Sequence, residues 1–220
     1  MCGRFAQICS KAVIEEEFEV EEVTFDLKPS YNVAPGQDVA IIIDDGTRRL
    51  HQFQWGLIPF WAKDPSIGRR MINARAETIY TKPSYKYAFR SRRCLVVADG
   101  FYEWRRDGKM KVPVFLRQRS ERPMGFAGLH ETWIPKKGEP INTCTIITTE
   151  ANELVKQIHN RMPAIINKED EYIWLNSAIE DKKLLLPMLN TDESHKMEGY
   201  EVSTYVNSPK NNSPECIKPI

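Results

Sequence analysis

The sequence lacks a CxxC pair, a secretory leader pattern and any stretch near the roughly 20 apolar residues that span a bilayer. Its five cysteines stand at 2, 9, 94, 144 and 216, an odd and scattered set that gives no disulfide framework in a chain of 220 residues. Reduced thiols and a cytoplasmic location follow as expectations. The four histidines (51, 130, 159 and 195) have no metal-ligand spacing with one another or with cysteine, so no metal is expected. There is no phosphate-loop, flavin or nicotinamide fingerprint, so no cofactor is expected either. Net charge is only +1, which by itself excludes neither nucleic acid nor any other partner.

What is present is a hydrophobic fraction of 41%, enough for a core and against global disorder. Charge is locally polarised. Lys63 to Arg93 carries nine basic residues against Asp64 and Glu77, and this segment also holds Tyr80, Tyr85, Tyr87 and Phe89. Glu15 to Asp26 carries seven acidic residues and no basic ones. Basic residues interleaved with aromatics suit a surface that tracks phosphates and stacks bases. A solvated loop that balances the acidic segment is the alternative.

Periodicity predicts a helix over 10–19 with Ser10 as its cap, then a hairpin from Val39–Ile43 through Asp44-Asp45-Gly46 to Trp55. Residues 57–93 are loop-rich. Cys94–Ala98 reads as a buried strand continued by Phe101–Arg105, with a tight Asp107-Gly108 turn into Val112–Arg117. Further strands are expected near 125–130, 142–148 and Tyr200–Val206, and helices over Glu150–Ile158 and near 169–176 and 178–189. Strands outnumber helices without regular alternation. That predicts an α+β fold, a curled, mostly antiparallel barrel-like sheet with flanking helices. No linker divides the chain, so 1–220 is read as one domain and one monomer, with a polar tail mobile from about 209.

Cys2 is the sharpest chemical feature. Removal of Met1, usual before a small residue, would leave a free α-amine and a thiol on adjacent carbons. Their reference pKa values of about 7.7–8.0 and about 8.5 leave both with reactive fractions near neutral pH. Such an amine condenses with an aldehyde to an imine, and the thiol can close on that carbon to a five-membered thiazolidine. An internal cysteine cannot do this. An incidental terminal residue is the alternative, since reactivity depends on surroundings.

Six motifs follow in order: Met1-Cys2-Gly3-Arg4-Phe5, Tyr31-Asn32-Val33-Ala34-Pro35, Trp55-Gly56-Leu57-Ile58-Pro59, Asn73-Ala74-Arg75-Ala76-Glu77, Asp99-Gly100-Phe101-Tyr102-Glu103-Trp104 and His159-Asn160-Arg161-Met162-Pro163. This ordered set resembles the SOS-response-associated peptidase (SRAP) family. The resemblance implies a protein that senses abasic sites in single-stranded DNA and shields them through a thiazolidine on the mature Cys2. It implies that Asn73 orients the α-amine, that Glu103 shuttles protons, and that His159 assists sugar ring opening and crosslink reversal. Arg4, Arg75 and Arg161 match positions expected to hold phosphates, and Pro35, Trp55 and Met162 lie in motifs that line or wedge the DNA site. Lyase-like crosslinking activity is implied, with peptidase activity no wider than self-processing that exposes Cys2.

Without the resemblance, Glu103 could equally be a strand-surface carboxylate and His159 a satisfied cap or core histidine. Trp55, Trp61 and Trp104 read as core on composition. Two other functions compete: an N-terminal-nucleophile cysteine amidohydrolase, in which the amine serves as base for the thiol, and a non-catalytic single-stranded DNA binder.

Overall fold

A computed structural model describes residues 2–190 and 194–220. Met1, whose removal the sequence predicts, lies outside the described residues. The strands are β1 (Phe5–Gln7), β2 (Glu22–Val23), β3 (Ser30–Val33), β4 (Asp38–Asp44), β5 (Arg48–Trp55), β6 (Asn73–Arg75), β7 (Arg93–Ala98), β8 (Gly100–Asp107), β9 (Met110–Gln118), β10 (Met124–Trp133), β11 (Ile141–Glu150), β12 (Arg161–Pro163) and β13 (Met197–Glu201). The helices are short: α1 (Lys11–Phe18), α2 (Lys86–Ser91), α3 (Glu153–Lys156), α4 (Glu171–Leu175) and α5 (Lys182–Leu185).

Five strands close a barrel in the order β11-β10-β7-β4-β5. Four of its five pairings are antiparallel, and the ring closes through a short parallel pairing of Thr143 with Gln54 and Cys144 with Trp55. A second sheet runs β13-β9-β8-β1-β3. The fold is therefore α+β, a mostly antiparallel barrel and sheet with a few helices, as expected.

Alternation along the strands sorts side chains into two clusters. Ile42, Leu50, Leu95, Val97 and Ile147 face α1, α2 and α4 through Ile14, Phe18, Phe89 and Trp174. Ile41, Phe53, Trp55, Val96 and Ile146 share the opposite cluster with Phe5 and Phe101 of the second sheet. β7 is buried on both faces, hence its unbroken apolar run.

The chain changes sheet at Asp99. Cys94–Ala98 and Phe101–Arg105 are not one strand, because Asp99 turns its carboxylate onto the backbone N–H groups of Ile8 (2.5 Å) and Cys9 (3.1 Å). Gly100 then threads between the layers. A Cβ there would stand 2.3 Å from the Phe115 ring and 2.7 Å from the Leu116 carbonyl. The β8–β9 turn is the expected one, with Asp107 paired to Met110 and Gly108 at φ +57°.

Other boundaries shift for local reasons. The helix expected over Glu150–Ile158 starts only at Glu153, where the Asn152 side chain caps the Val155 N–H. The one near 178–189 stops at Leu185, and Pro187 starts a separate 3₁₀ turn. The last strand ends at Glu201 and gives way to a 3₁₀ turn over Thr204–Asn207.

The segment from about 209 makes packing contacts with the rest of the chain. Cys216 is buried, Val202 bridges Pro219, and Tyr200 donates to the Ile217 carbonyl. The Asn32 side-chain amide donates to the carbonyls of Val206 and Ser208, which lead into this segment, and of Asn211 within it. Among the described residues no helix is long and apolar enough to cross a membrane.

Candidate active site

The site is built around the first residues of the chain. β1 is wedged between β3 and β8, and Phe5 fixes it by edge contacts with Trp55 at 5.2 Å and Phe126 at 6.2 Å. Cys2 is thereby held fully buried at the mouth of this cluster. Burial pushes its thiol well above the ordinary range, the nearby Glu103 charge adds to the push, and the Arg4 N–H opposes it.

Asn73 and Glu103, from distant segments, meet Cys2, and His159 acts on Glu103. Asn73 opens β6, which pairs in parallel with β11, and its Nδ2 donates to the Cys2 carbonyl at 2.7 Å. Its buried Oδ1 has no hydrogen-bond partner among the described residues. Tyr85 braces this strand from outside, its hydroxyl donating to the Asn73 carbonyl at 3.2 Å.

Glu103 sits on β8 opposite Val114 and is 5% exposed. Burial raises its carboxyl above the usual range, and the neighbouring His159 works against that rise. His159 follows α3, its N–H bound to the Val155 carbonyl. Its Nδ1 lies 3.0 Å from the Arg161 backbone nitrogen and 3.2 Å from the Arg161 carbonyl oxygen. A buried carboxylate beside a thiol and in electrical contact with an imidazole is an arrangement able to transfer protons.

The other expected contacts divide sharply. Pro35 and Arg75 are exposed. Pro35 lines a cavity of about 440 Å³ with Trp55, Ile58, Asp64, Arg69 and Ile141. Its wall is a contact of two backbones: Gly56, at φ +136°, meets Gly68 so closely that a Cβ on either would fall 2.7 Å from the other's carbonyl oxygen.

Arg4 is turned inward. Its Nη1 donates to Asn32 Oδ1 (2.7 Å) and the Val206 carbonyl (2.9 Å), and its guanidinium lies 5.9 Å from the Trp104 ring centre. Arg161 pairs with Glu77 and the Thr148 carbonyl, and its buried Nε has no hydrogen-bond partner among the described residues. Trp55 is fully buried with its indole N–H on the Ile72 carbonyl, and Met162 is buried with its sulfur accepting from the Asn152 N–H. Neither side chain presents a face to solvent.

The exposed aromatic surface comes from Phe60 and Trp61 together with Tyr87 of the basic-aromatic segment. Phe60 is 53% and Trp61 47% exposed, so Trp61 is not core. Phe60 packs edge-on against exposed Tyr87 at 5.9 Å, with Lys86 Nζ 4.8 Å over the Tyr87 ring. Lys63, Arg69, Arg70 and Arg75 are exposed in the same loop-rich segment. The sequence signal was the Pro59-Phe60-Trp61 placement in a loop, where no strand partner can cover two large rings. Among the described residues no three His, Cys, Asp or Glu side chains converge as metal ligands.

Residues 1–209 match the family described as SOS response associated peptidase (SRAP). The chain belongs to the SRAP family. It is 48% identical to the abasic site processing protein YoqW of Bacillus subtilis (strain 168), covering 99% of each chain. It is 36% identical to the abasic site processing protein HMCES of Gallus gallus, over 88% of this chain and 67% of that one. A solved structure of a Bacteroides thetaiotaomicron protein superposes over the full length of both chains with a TM-score of 0.89 at 29% identity.

Proposed function

We propose that this SRAP protein senses abasic sites in single-stranded DNA and shields them by a covalent thiazolidine link through the mature Cys2. The observation that carries this is the convergence of Asn73 and Glu103 on Cys2, with His159 acting on Glu103. The names of the relatives support the substrate.

The chemistry balances with these residues alone. The Cys2 amine adds to the aldehyde carbon of the ring-opened sugar, and the carbinolamine loses water to give an imine. The thiol then adds to the imine carbon and its proton passes to nitrogen, closing the ring. Asn73, already on the Cys2 carbonyl, has a second polar atom to orient the amine. The buried thiol is protonated at neutral pH, so ring closure needs a base. Glu103 supplies it, and its raised carboxyl also lets it protonate the departing hydroxyl. His159 serves ring opening and reversal through Nε2–H.

An abasic site offers no base, so affinity comes from phosphates and flanking bases. Exposed Arg75, Arg69 and Arg70 supply charge, and Phe60 and Trp61 supply faces for stacking. The Pro35 cavity lies along this surface. Lyase chemistry belongs to the imine stage, which ring closure cuts short, and peptidase activity is limited to exposing Cys2. The protein acts as a cytoplasmic monomer, a setting that suits its five free cysteines.

The deciding experiment uses Cys2→Ala, which keeps the amine and deletes the thiol. It should give a borohydride-trappable imine and no stable adduct, whereas wild type gives a stable adduct without reductant.

A further inference from the structure

Glu77 closes the Asn73–Glu77 motif but has no part in the chemistry above. Its carboxylate takes the Arg161 guanidinium in a two-pronged pair, Oε1 from Nη1 at 2.5 Å and Oε2 from Nη2 at 3.1 Å. Nη2 also donates to the Thr148 carbonyl at 2.5 Å. The pair is not an ordinary surface ion pair, because the Arg161 side chain is 12% exposed against 47% for Glu77. Bidentate pairs of this kind fix orientation as well as charge. Arg161 in turn borders His159, its backbone nitrogen 3.0 Å and its carbonyl oxygen 3.2 Å from Nδ1, and the N–H contact requires Nδ1 as acceptor.

We propose that Glu77 is a positioning residue for His159, acting through Arg161 to keep Nδ1 as acceptor and the proton on Nε2. The register agrees with this. β6 and β12 flank β11 on opposite edges, with Arg75 beside Thr148 and Arg161 beside Glu150. The Glu77–Arg161 pair bridges the two short strands across it. Without Glu77, three residues of β12 and the Thr148 carbonyl alone would have to hold a nearly buried guanidinium in register. Burial alone would raise the Glu77 carboxyl, but its bonds to Arg161 and backbone, with the Arg161 and Arg75 charges, hold it below the ordinary value, so the pair stays charged near neutrality.

The same geometry separates Glu77 from a phosphate contact. A carboxylate beside a DNA strand opposes phosphate rather than binding it. Loss of Glu77 should therefore impair the reaction step and not DNA binding.

The inference rests on the proton-transfer role of His159, and the test keeps the two apart. Crosslinking rates at saturating abasic single-stranded DNA are measured for wild type, Glu77→Gln, His159→Ala and the double variant. Affinity is measured on a strand carrying a tetrahydrofuran abasic analogue. Glu77→Gln should slow crosslinking by about tenfold or more while affinity holds or rises, and it should cost little further once His159 is absent. Glu77→Asp, which keeps the charge, should recover part of the rate. A slow His159→Ala with a fully additive Glu77→Gln effect, or an affinity loss matching the rate loss, would overturn the positioning role alone. A full-rate His159→Ala would remove the His159 role and this inference with it. Should Glu77→Gln not fold, ¹⁵N NMR of the wild-type His159 ring decides: a neutral ring protonated on Nε2 supports the inference, and one protonated on Nδ1 overturns it.

Discussion

Asn73 donates its side-chain N–H to the Cys2 carbonyl at 2.7 Å, across 71 residues of sequence. The bond ties the reacting residue to the edge of the barrel, and it leaves the Asn73 oxygen buried beside the chain start. Asn73→Ala should therefore slow crosslinking about 10- to 100-fold with the fold intact. Asn73→Asp should recover the amine contact but place a second carboxylate beside Glu103. Single-turnover crosslinking by both variants, with thermal melts as control, checks this; an unchanged rate in Asn73→Ala would remove it from the site.

Glu103 and His159 are proposed proton movers of a buried thiol. Glu103→Gln and His159→Ala should each slow the reaction by about 100- to 10,000-fold, the usual range for general acid–base groups, with DNA affinity nearly intact. A pH–rate profile is the check. If both limbs persist in both variants, the two side chains are structural.

Arg75 and Arg4 should part company in salt titrations. Arg75 is exposed, so Arg75→Ala should make the log–log slope of DNA binding shallower by about 0.7, the value for one single-strand phosphate. Arg4 is bound to Asn32 and Val206, so Arg4→Ala should instead lower stability by roughly 1–3 kcal/mol, the cost of stranding buried polar groups. Urea melts and binding isotherms at three salt concentrations separate the two effects, and equal slope changes would contradict the assignment.

Glu171 gives the fold a pH dependence away from the site. It is 4% exposed, and burial pushes its carboxyl up to about 7 despite Lys168 at 3.4 Å and Arg48 at 3.6 Å. The folded chain then keeps a proton that the unfolded chain releases near the ordinary value of about 4.3. Fewer protons are bound on unfolding, so stability is full below that value and falls as pH rises toward and through 7, by up to about 3 kcal/mol. Urea denaturation at pH 5 and pH 7.5 should show this loss in wild type and not in Glu171→Gln.

The candidate site was legible as short ordered motifs carrying reactive groups: Asn73 and Glu103 lie against Cys2, and His159 acts on Glu103. The roles of their neighbours were less legible, because a motif names a residue and not the direction of its side chain. Arg4 turns inward to a carbonyl 202 positions away, and Met162 is claimed by an N–H of Asn152. Trp55 and Trp61 are alike in composition, yet one ends a barrel strand and the other sits in a loop with no layer above it. The hairpins were readable from turn residues and alternation. The change of sheet at Asp99 was not, since the apolar run on either side of it looks continuous. The contacts of the polar tail were not legible, because the partner of its Asn211 carbonyl is Asn32, far away in sequence.

The central claim is that the mature Cys2 closes a thiazolidine on an abasic sugar, and intact mass is its most direct measure. Wild-type protein mixed with abasic single-stranded DNA should lack Met1 and give one species at the summed mass less one water, stable to denaturant and high salt without reductant. Protein with an uncleaved N-terminal tag should give none, and Cys2→Ala should give one only after borohydride. Equal, stable, reductant-independent adducts from wild type and Cys2→Ala would contradict the account and move the search to a lysine.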